Sequence, residues 1–152
     1  MRSSCPECGA QLGDAEDCAA LFHALLALEA RVPGAAGALP HFFAVASYNL
    51  QHPSTFTHAA LAGLRDTLGD VLAGRATLED ARRRARAGAA GAMRVRRRPG
   101  GAESETQRRG RIAWPARWPI TVADVCRAEP AEYPARVREW ARATVATLEV
   151  GR

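Results

Sequence analysis

The chain has 152 residues, of which 47% are hydrophobic, and this is enough for one domain with a sizeable core. No apolar run approaches the roughly 20 residues that a membrane-spanning helix needs, so no such helix is expected. The formal net charge is +5, and positive charge is concentrated in residues 75–117, which hold 13 arginines against 4 acidic residues. The first residues form no apolar signal-peptide region, so a cytoplasmic location is expected, where cysteines favour metal ligands or free thiols over disulfides.

The first third of the chain predicts two consecutive helices. One is expected from about residue 16 to 31, because its leucines recur at helical spacing and a Pro-Gly pair follows. The second is a short buried helix from about residue 40 to 51, with Pro40 in its first turn and Pro53 beyond its end. A buried strand is the alternative for this second segment, since Phe, Val and Tyr also favour strands. If both segments are helical, the short loop between them makes them pack antiparallel.

The middle of the chain predicts two more helices and an irregular basic segment. An apolar stripe indicates a helix over residues 54–74, and a capping pattern at Thr77 opens a peripheral, arginine-rich helix that runs to about residue 90. Residues 91–112 are rich in Gly, Pro and Arg, and we expect a mobile basic loop there. A short β-hairpin around residues 93–114 is the alternative, because residues 93–96 alternate as a strand does.

The last third predicts an extended segment and two helices. Two Trp-Pro pairs fix an extended path, and Thr121 opens a short helix with Asp124 completing the capping pattern. Pro130 begins the last helix, whose apolar residues recur at spacings of three and four. The stripe consists of Tyr133, Val137, Trp140, Thr144 and Leu148. The predicted fold is therefore mainly α, a single small helical domain over residues 1–152 with a zinc knuckle at its N-terminus.

The zinc knuckle is predicted from Cys5 and Cys8, which are two residues apart and followed directly by Gly9. This spacing points both thiolates to one ion, and a tetrahedral site needs two further ligands. Cys18 is the expected third ligand, because it lies at the start of the first helix, where a helix N-terminus stabilises a thiolate. A C-P-x-C pair also occurs in thioredoxin-like redox proteins, but those place it after a strand, and here only four residues precede it.

The fourth ligand is predicted by helix order. Antiparallel packing brings the end of the second helix beside the start of the first, so His52 is expected near Cys18. His58 lies one turn into the next helix, which starts at the same end, and is the second candidate, whereas His41 lies at the opposite end and His23 points elsewhere. His41, an acidic residue or water stays open as the fourth ligand. The alternative to a metal site is three free thiols with a histidine that caps a helix or lies in the core. The predicted ligands of Zn2+ are Cys5, Cys8, Cys18 and His52.

These residues resemble an uncharacterised bacterial family of small proteins, a domain of unknown function. Its members begin with C-P-x-C-G, place another cysteine ahead of a helix, carry H-x-x-x-V-x-x-Y-x-x-Q-H-P and close with W-P-x-T-V-x-D-V before a Trp-containing helix. The resemblance covers the chain except for residues 80–112 and implies no established activity. The matching positions are Cys5, Pro6, Cys8, Gly9, Cys18, His41, Val45, Tyr48, Gln51, His52, Pro53, Trp118, Pro119, Thr121, Val122, Asp124, Val125 and Trp140.

Three functions are compatible with the sequence, and the favoured one is a non-enzymatic, zinc-stabilised binding or structural module. Four protein ligands leave no open position for water, which argues against catalysis. Nucleic-acid binding through the Arg-rich segment 82–111 is the first alternative, but that segment has no aromatic residue for base stacking, and arginine in every basic position is typical of a high-GC bacterial genome. A zinc enzyme, with Tyr48, Gln51, His52 and His58 around an open metal, is the second.

Overall fold

The computed structural model describes residues 3–14, 16–31, 37–90, 96, 114–115 and 117–150. Two short strands and six helices form the described part, joined by 3-10 turns at Pro53–Thr55 and Pro130–Glu132. The strands are β1 (Ser3–Ser4) and β2 (Gln11–Leu12), and the helices are α1 (Cys18–Glu29), α2 (Ala38–Gln51), α3 (His58–Leu72), α4 (Leu78–Ala90), α5 (Val122–Cys126) and α6 (Tyr133–Glu149). The mainly α prediction is confirmed, and in these residues no helix is long and apolar enough to cross a membrane.

Helices α1 and α2 form the antiparallel hairpin that the short loop predicted. Cys18 at the start of α1 lies at the end where α2 finishes, and Glu29 at the end of α1 contacts His41 in the first turn of α2. Asp17 caps α1 by accepting from the backbone N–H of Ala20, so an acidic side chain satisfies one free donor of the first turn. The hairpin therefore has two distinct ends, each with a histidine of α2.

Helix α6 supplies the centre of the core and packs most extensively against α2. All five residues of its predicted stripe are buried, with Val137, Trp140 and Thr144 fully inaccessible. Tyr133 at the start of α6 lies beside the start of α2, so the two helices run in the same direction. The amphipathic pattern thus placed this helix correctly, because a continuous apolar stripe has to be covered by neighbouring helices.

The capping patterns that predicted the starts of α4 and α5 are both present. Asp80 accepts hydrogen bonds from the backbone and hydroxyl of Thr77, which in turn accepts from the backbone N–H of Asp80. Thr121 and Asp124 form the same reciprocal pair at α5. These local contacts satisfy free donors at the helix starts, which explains why such short patterns predict boundaries well.

The described β-hairpin lies at the N-terminus, where antiparallel β1 and β2 flank the cysteine knuckle. Its strands have only two residues each, too few for an alternating pattern to be recognised in the sequence. The hairpin predicted around residues 93–114 falls outside the described residues, except for its positions 96 and 114. Arg96 forms an antiparallel β-bridge with Phe56, which precedes α3.

Candidate metal centre

Four predicted ligands from three separate segments converge at one end of the α1–α2 hairpin. The Sγ atoms of Cys5, Cys8 and Cys18 and a ring nitrogen of His52 all lie within 4.8 Å of one another. The Sγ atoms of Cys8 and Cys18 are 3.6 Å apart, and Nε2 of His52 is 3.7 Å from the Sγ of Cys5. The arrangement can hold a metal ion with one nitrogen and three sulfur donors.

The knuckle shapes one half of this cluster. The backbone N–H of Gly9 donates to the carbonyl of Cys5 at 2.9 Å, and Gly9 has a φ of 75°, which favours glycine because it has no Cβ. The N–H of Cys5 donates to the carbonyl of Ala10 at 3.0 Å, which closes the turn between β1 and β2. Cys8 is fully buried and Cys5 half-buried, so the turn places one thiol inside and the other at the rim.

Helix ends supply the other half of the cluster. Cys18 is the first residue of α1 and is buried, while His52 terminates α2. The Nδ1–H of His52 donates to the carbonyl oxygen of Tyr48 at 2.8 Å, which turns Nε2 toward the sulfurs, where it can bind a metal once its own proton is lost. Metal-ligating histidines commonly have their second nitrogen fixed in this way. The local geometry of one helix end therefore sets the tautomer that a metal needs.

An aromatic stack fixes the orientation of the His52 ring. The Tyr48 ring lies 4.2 Å from the His52 ring and 4.1 Å from the Phe22 ring, nearly parallel to both. Burial, together with a smaller contribution from the negative charge of the cysteines, raises the pKa of Tyr48 to about 12, so its phenol stays protonated. Tyr48 was predicted to line a pocket in the enzyme hypothesis, and in the structure it acts as the middle ring of this stack.

The electrostatics of the cluster reflect three thiols around one imidazole. A hydrogen bond from the Cys18 thiol lowers the pKa of Cys8 to about 4, and the same bond together with burial raises the pKa of Cys18. Burial disfavours charge on His52, but hydrogen bonds to the Cys8 sulfur and the Tyr48 carbonyl outweigh it and raise the pKa of His52 to about 9. At neutral pH the metal-free cluster thus holds a Cys8 thiolate beside a histidinium, with a proton on Cys18.

Two of the separations lie close to those of a tetrahedral ion. With metal–sulfur bonds of about 2.3 Å and a metal–nitrogen bond of about 2.0 Å, tetrahedral ligand atoms stand about 3.5–3.8 Å apart. The sulfurs of Cys8 and Cys18 are 3.6 Å apart, and the Cys5 sulfur and His52 nitrogen are 3.7 Å apart, while the whole set lies within 4.8 Å. Three sulfur donors and one imidazole are also a donor set that soft or borderline divalent metals prefer.

The other residues that were considered as metal ligands or pocket residues lie outside the cluster. His58 is the first residue of α3 and is not a member of the cluster, and His41 lies at the opposite end of the hairpin, as predicted. Gln51, which the enzyme hypothesis placed beside the metal, is fully buried and donates to the carbonyl of Ile120 at 2.8 Å and to the hydroxyl of Thr144 at 3.2 Å. Gln51 therefore joins α2 to later parts of the chain.

The opposite end of the hairpin holds a buried polar group that the sequence reading missed. The carboxylate of Glu29, only 8% exposed, accepts from the Tyr133 hydroxyl at 2.9 Å and from Nδ1–H of His41 at 3.1 Å. Burial raises the pKa of Tyr133, and the Glu29 hydrogen bond raises it further, so the phenol remains a donor. The available signal was spacing, because Glu29 lies on the same helix face as the buried residues Cys18 and Leu25.

The described part of the arginine-rich segment is largely compensated by carboxylates. In α4, Arg83 pairs with Asp80, and both Arg82 and Arg86 pair with Glu79. The Arg84 guanidinium reaches Asp70 of α3 at 2.8 Å, where the bonded arginine lowers the pKa of the carboxyl. Of the segment 82–111, the structure describes α4 as far as residue 90, and Arg96.

A family model describes almost the whole chain. The model of a family of unknown function, DUF5946, matches residues 3–149, so the chain belongs to that family. This confirms the identification, made on motifs, of an uncharacterised domain family. Comparisons with curated proteins and with solved structures found no match.

Proposed function

We propose that this member of the family is a zinc-stabilised helical protein that serves as a structural or binding module in the cytoplasm. The single observation that carries the proposal is the convergence of one imidazole and three thiol groups within 4.8 Å. Bound zinc would cross-link the knuckle to both helices of the hairpin, and its binding free energy would become folding free energy. Residues 1–152 would then form one domain, with the N-terminal hairpin held on the helices by the metal.

The donor set favours zinc over other ions. Three cysteines and one histidine form a closed tetrahedral set, typical of structural zinc sites, in which the protein fills every coordination position. Calcium and magnesium prefer oxygen donors, which this cluster does not offer. A reducing compartment keeps the thiols available, which supports the cytoplasmic location.

The two alternative functions receive no comparable support from the described residues. An enzyme would need an open metal position, whereas four side chains converge here, with Gln51 and His58 outside the group. Nucleic-acid binding needs unpaired positive charge to neutralise phosphates, and the arginines of α4 named above face carboxylates. The helical module is therefore the function that the geometry favours.

Metal analysis of the purified chain tests the proposal, with two histidine variants as a matched pair. Wild-type protein is expected to contain about one zinc per chain, and His52→Ala to lose most of it because one of four ligands is gone. His41→Ala changes the same residue type on the same helix, at the end without thiols, and should keep the metal. A wild-type chain without zinc, or equal zinc in both variants, contradicts the proposal.

A further inference from the structure

Residues 50–56, which carry His52, receive two distant parts of the chain on either side of the metal cluster. Arg96 approaches this segment from beyond α4, and Trp114 approaches it ahead of α5. Between these two points lie residues 97–113, which contain five arginines and two glutamates. Arg96 and Trp114, the residues that flank this basic stretch, thus both contact the short segment that also supplies a candidate metal ligand.

The Arg96 attachment consists of three contacts. Its backbone forms an antiparallel bridge with Phe56, and its guanidinium lies 5.0 Å from the centre of the Phe56 ring. Its Nη1 donates to the Thr55 hydroxyl at 3.2 Å. These contacts hold Arg96 against Thr55 and Phe56, which follow shortly after His52 in the chain.

The Trp114 attachment combines packing against the core with one directed hydrogen bond. The indole Nε1–H of Trp114 donates to the carbonyl oxygen of Leu50, in the last turn of α2. This carbonyl belongs to the final turn of the helix, where backbone acceptors lack partners within the helix. Trp114 therefore caps α2 two residues before His52.

The same segment is tied to the cysteine knuckle by two routes. His52 joins the thiol cluster, and the backbone N–H of Ser54 donates to the carboxylate of Glu7 at 2.9 Å. Glu7 lies between the two cysteines of the knuckle, so it moves with them. Leu50 and Gln51 are held by the core, whereas His52 and Ser54 of the same segment contact the knuckle.

We propose that metal occupancy and the attachment of Arg96 and Trp114 are thermodynamically coupled. Metal binding at the cluster holds residues 50–56 in the conformation that both residues recognise, and metal loss weakens the contacts of Arg96 and Trp114 with that segment. The protein is in this sense a metal-responsive device rather than a static zinc-stabilised fold. The inference rests on the proposed function, because it requires metal at the Cys and His cluster.

Thermodynamic coupling is reciprocal: if bound metal stabilises the Arg96 and Trp114 contacts, these contacts must raise the metal affinity by the same factor. Removing the contacts should therefore weaken metal binding. Zinc affinity is measured by competition with a chromophoric chelator for Arg96→Ala and Trp114→Phe in the full chain. We expect each variant to bind zinc about fivefold more weakly than wild type, the lower end of typical coupling. Thr55→Val removes only the hydroxyl that accepts from Arg96, and a smaller loss in the same direction is expected.

Matched controls separate coupling from general destabilisation. Arg138 lies 5.9 Å from the Phe43 ring near the other end of α2, so Arg138→Ala removes a similar contact away from the cluster. Trp118→Phe removes an indole whose N–H has no hydrogen-bond partner among the described residues. Both controls should bind zinc within about twofold of wild type, since neither residue forms a hydrogen bond or ring contact with residues 50–56 among the described residues.

The outcomes distinguish this inference from the proposed function. One zinc per wild-type chain, with equal affinity in the Arg96, Thr55 and Trp114 variants and the controls, overturns the coupling and leaves the zinc module intact. An equal loss in variants and controls overturns it as well, because the effect would then be general stability. Absence of zinc from the wild-type chain defeats both. If Arg96→Ala or Trp114→Phe does not fold, the milder Thr55→Val decides the question.

Discussion

The two ends of the α1–α2 hairpin are joined by different chemistry, although each uses a histidine of α2. At one end, His52 faces three thiols that can hold a metal ion. At the other, His41 and Tyr133 donate hydrogen bonds to the buried carboxylate of Glu29. In the proposed function an added ion joins the groups of the first end, whereas the second end is joined by hydrogen bonds of the chain itself.

The two ends therefore differ in whether their contribution to the free energy of unfolding depends on metal. The Glu29 end contributes in any medium in which its groups keep their protonation states, because its partners are covalent parts of the chain. Under the proposed function, the cluster end contributes in proportion to the logarithm of free metal, as expected for a ligand that binds only the folded state. We therefore expect metal supply to act on one end of the hairpin and to leave the other unchanged.

The largest effect is expected from Cys8→Ser, which removes a fully buried ligand. With free zinc at about 1,000 times its dissociation constant, binding supplies about 4 kcal/mol, and we expect the free energy of unfolding to fall by about that amount. Urea denaturation with and without a chelator measures it, and the variant should no longer respond to the chelator. Cys126→Ser is the control, because that thiol donates to the carbonyl of Leu21 and lies outside the cluster. A chelator response equal in Cys8→Ser and wild type would refute this prediction.

Acid is expected to weaken the cluster end selectively. At neutral pH the metal-free cluster holds protons on His52, whose pKa is raised to about 9, and on Cys18. Zinc displaces both, so the metal-bound form carries fewer protons and lower pH favours the metal-free form. The apparent zinc affinity should therefore fall by at least about 100-fold per pH unit between pH 7.5 and 6, as measured by chelator competition. A flat profile across that range would show that no proton is displaced.

Tyr133→Phe is expected to weaken the Glu29 end by about 2 kcal/mol, because it removes a buried hydrogen bond to a charged group. The loss should be the same with and without chelator, and zinc content should be unchanged. Tyr48→Phe deletes the same hydroxyl from a tyrosine of α2, and we expect it to cost less than about 0.5 kcal/mol because it breaks no hydrogen bond seen in the described residues. If the Tyr133→Phe loss disappears on metal removal, the two ends are not independent.

The smallest effect is expected from Glu7→Ala, which removes the exposed hydrogen bond between the knuckle and the N–H of Ser54. We expect a loss of about 0.5 kcal/mol, since solvent replaces an exposed bond at little cost. Glu7→Gln retains an acceptor oxygen and should match wild type in the same urea titration. A loss as large as that of Cys8→Ser would mean that Glu7, rather than metal, seats the knuckle.

Much of the cluster follows from the sequence, because its rules are local or topological. The C-x2-C-G spacing locates two thiols, and a short loop between two helices forces the antiparallel packing that places His52 near Cys18. The starts of α4 and α5 were predictable for a similar reason, since the side chains of Thr77 and Thr121 accept hydrogen bonds from backbone N–H groups three residues later. In each case the decisive contact lies within one element or between neighbouring elements.

What could not be predicted depends on contacts between distant residues. Glu29 and Tyr133 are 104 residues apart, and an acid at a helix end reads as solvent-exposed until α6 covers it. Gln51 looked like a pocket residue because a polar side chain ends an apolar helix, but Ile120 and Thr144 bond to it in the core. The Arg96–Phe56 bridge involves one residue on each side, so the sequence shows no alternation of apolar and polar residues that would predict it.

The position of the four ligands in the chain has a consequence for synthesis. Cys5 and His52 are 47 residues apart, and the two other cysteines lie between them, whereas α6 begins only at Tyr133. A nascent chain therefore carries the complete donor set long before the helix that covers α2 leaves the ribosome. Capture of an ion at that stage would hold the first two helices together until α6 is made. The apolar surface between these two helices would then stay covered, which reduces the surface that promotes aggregation.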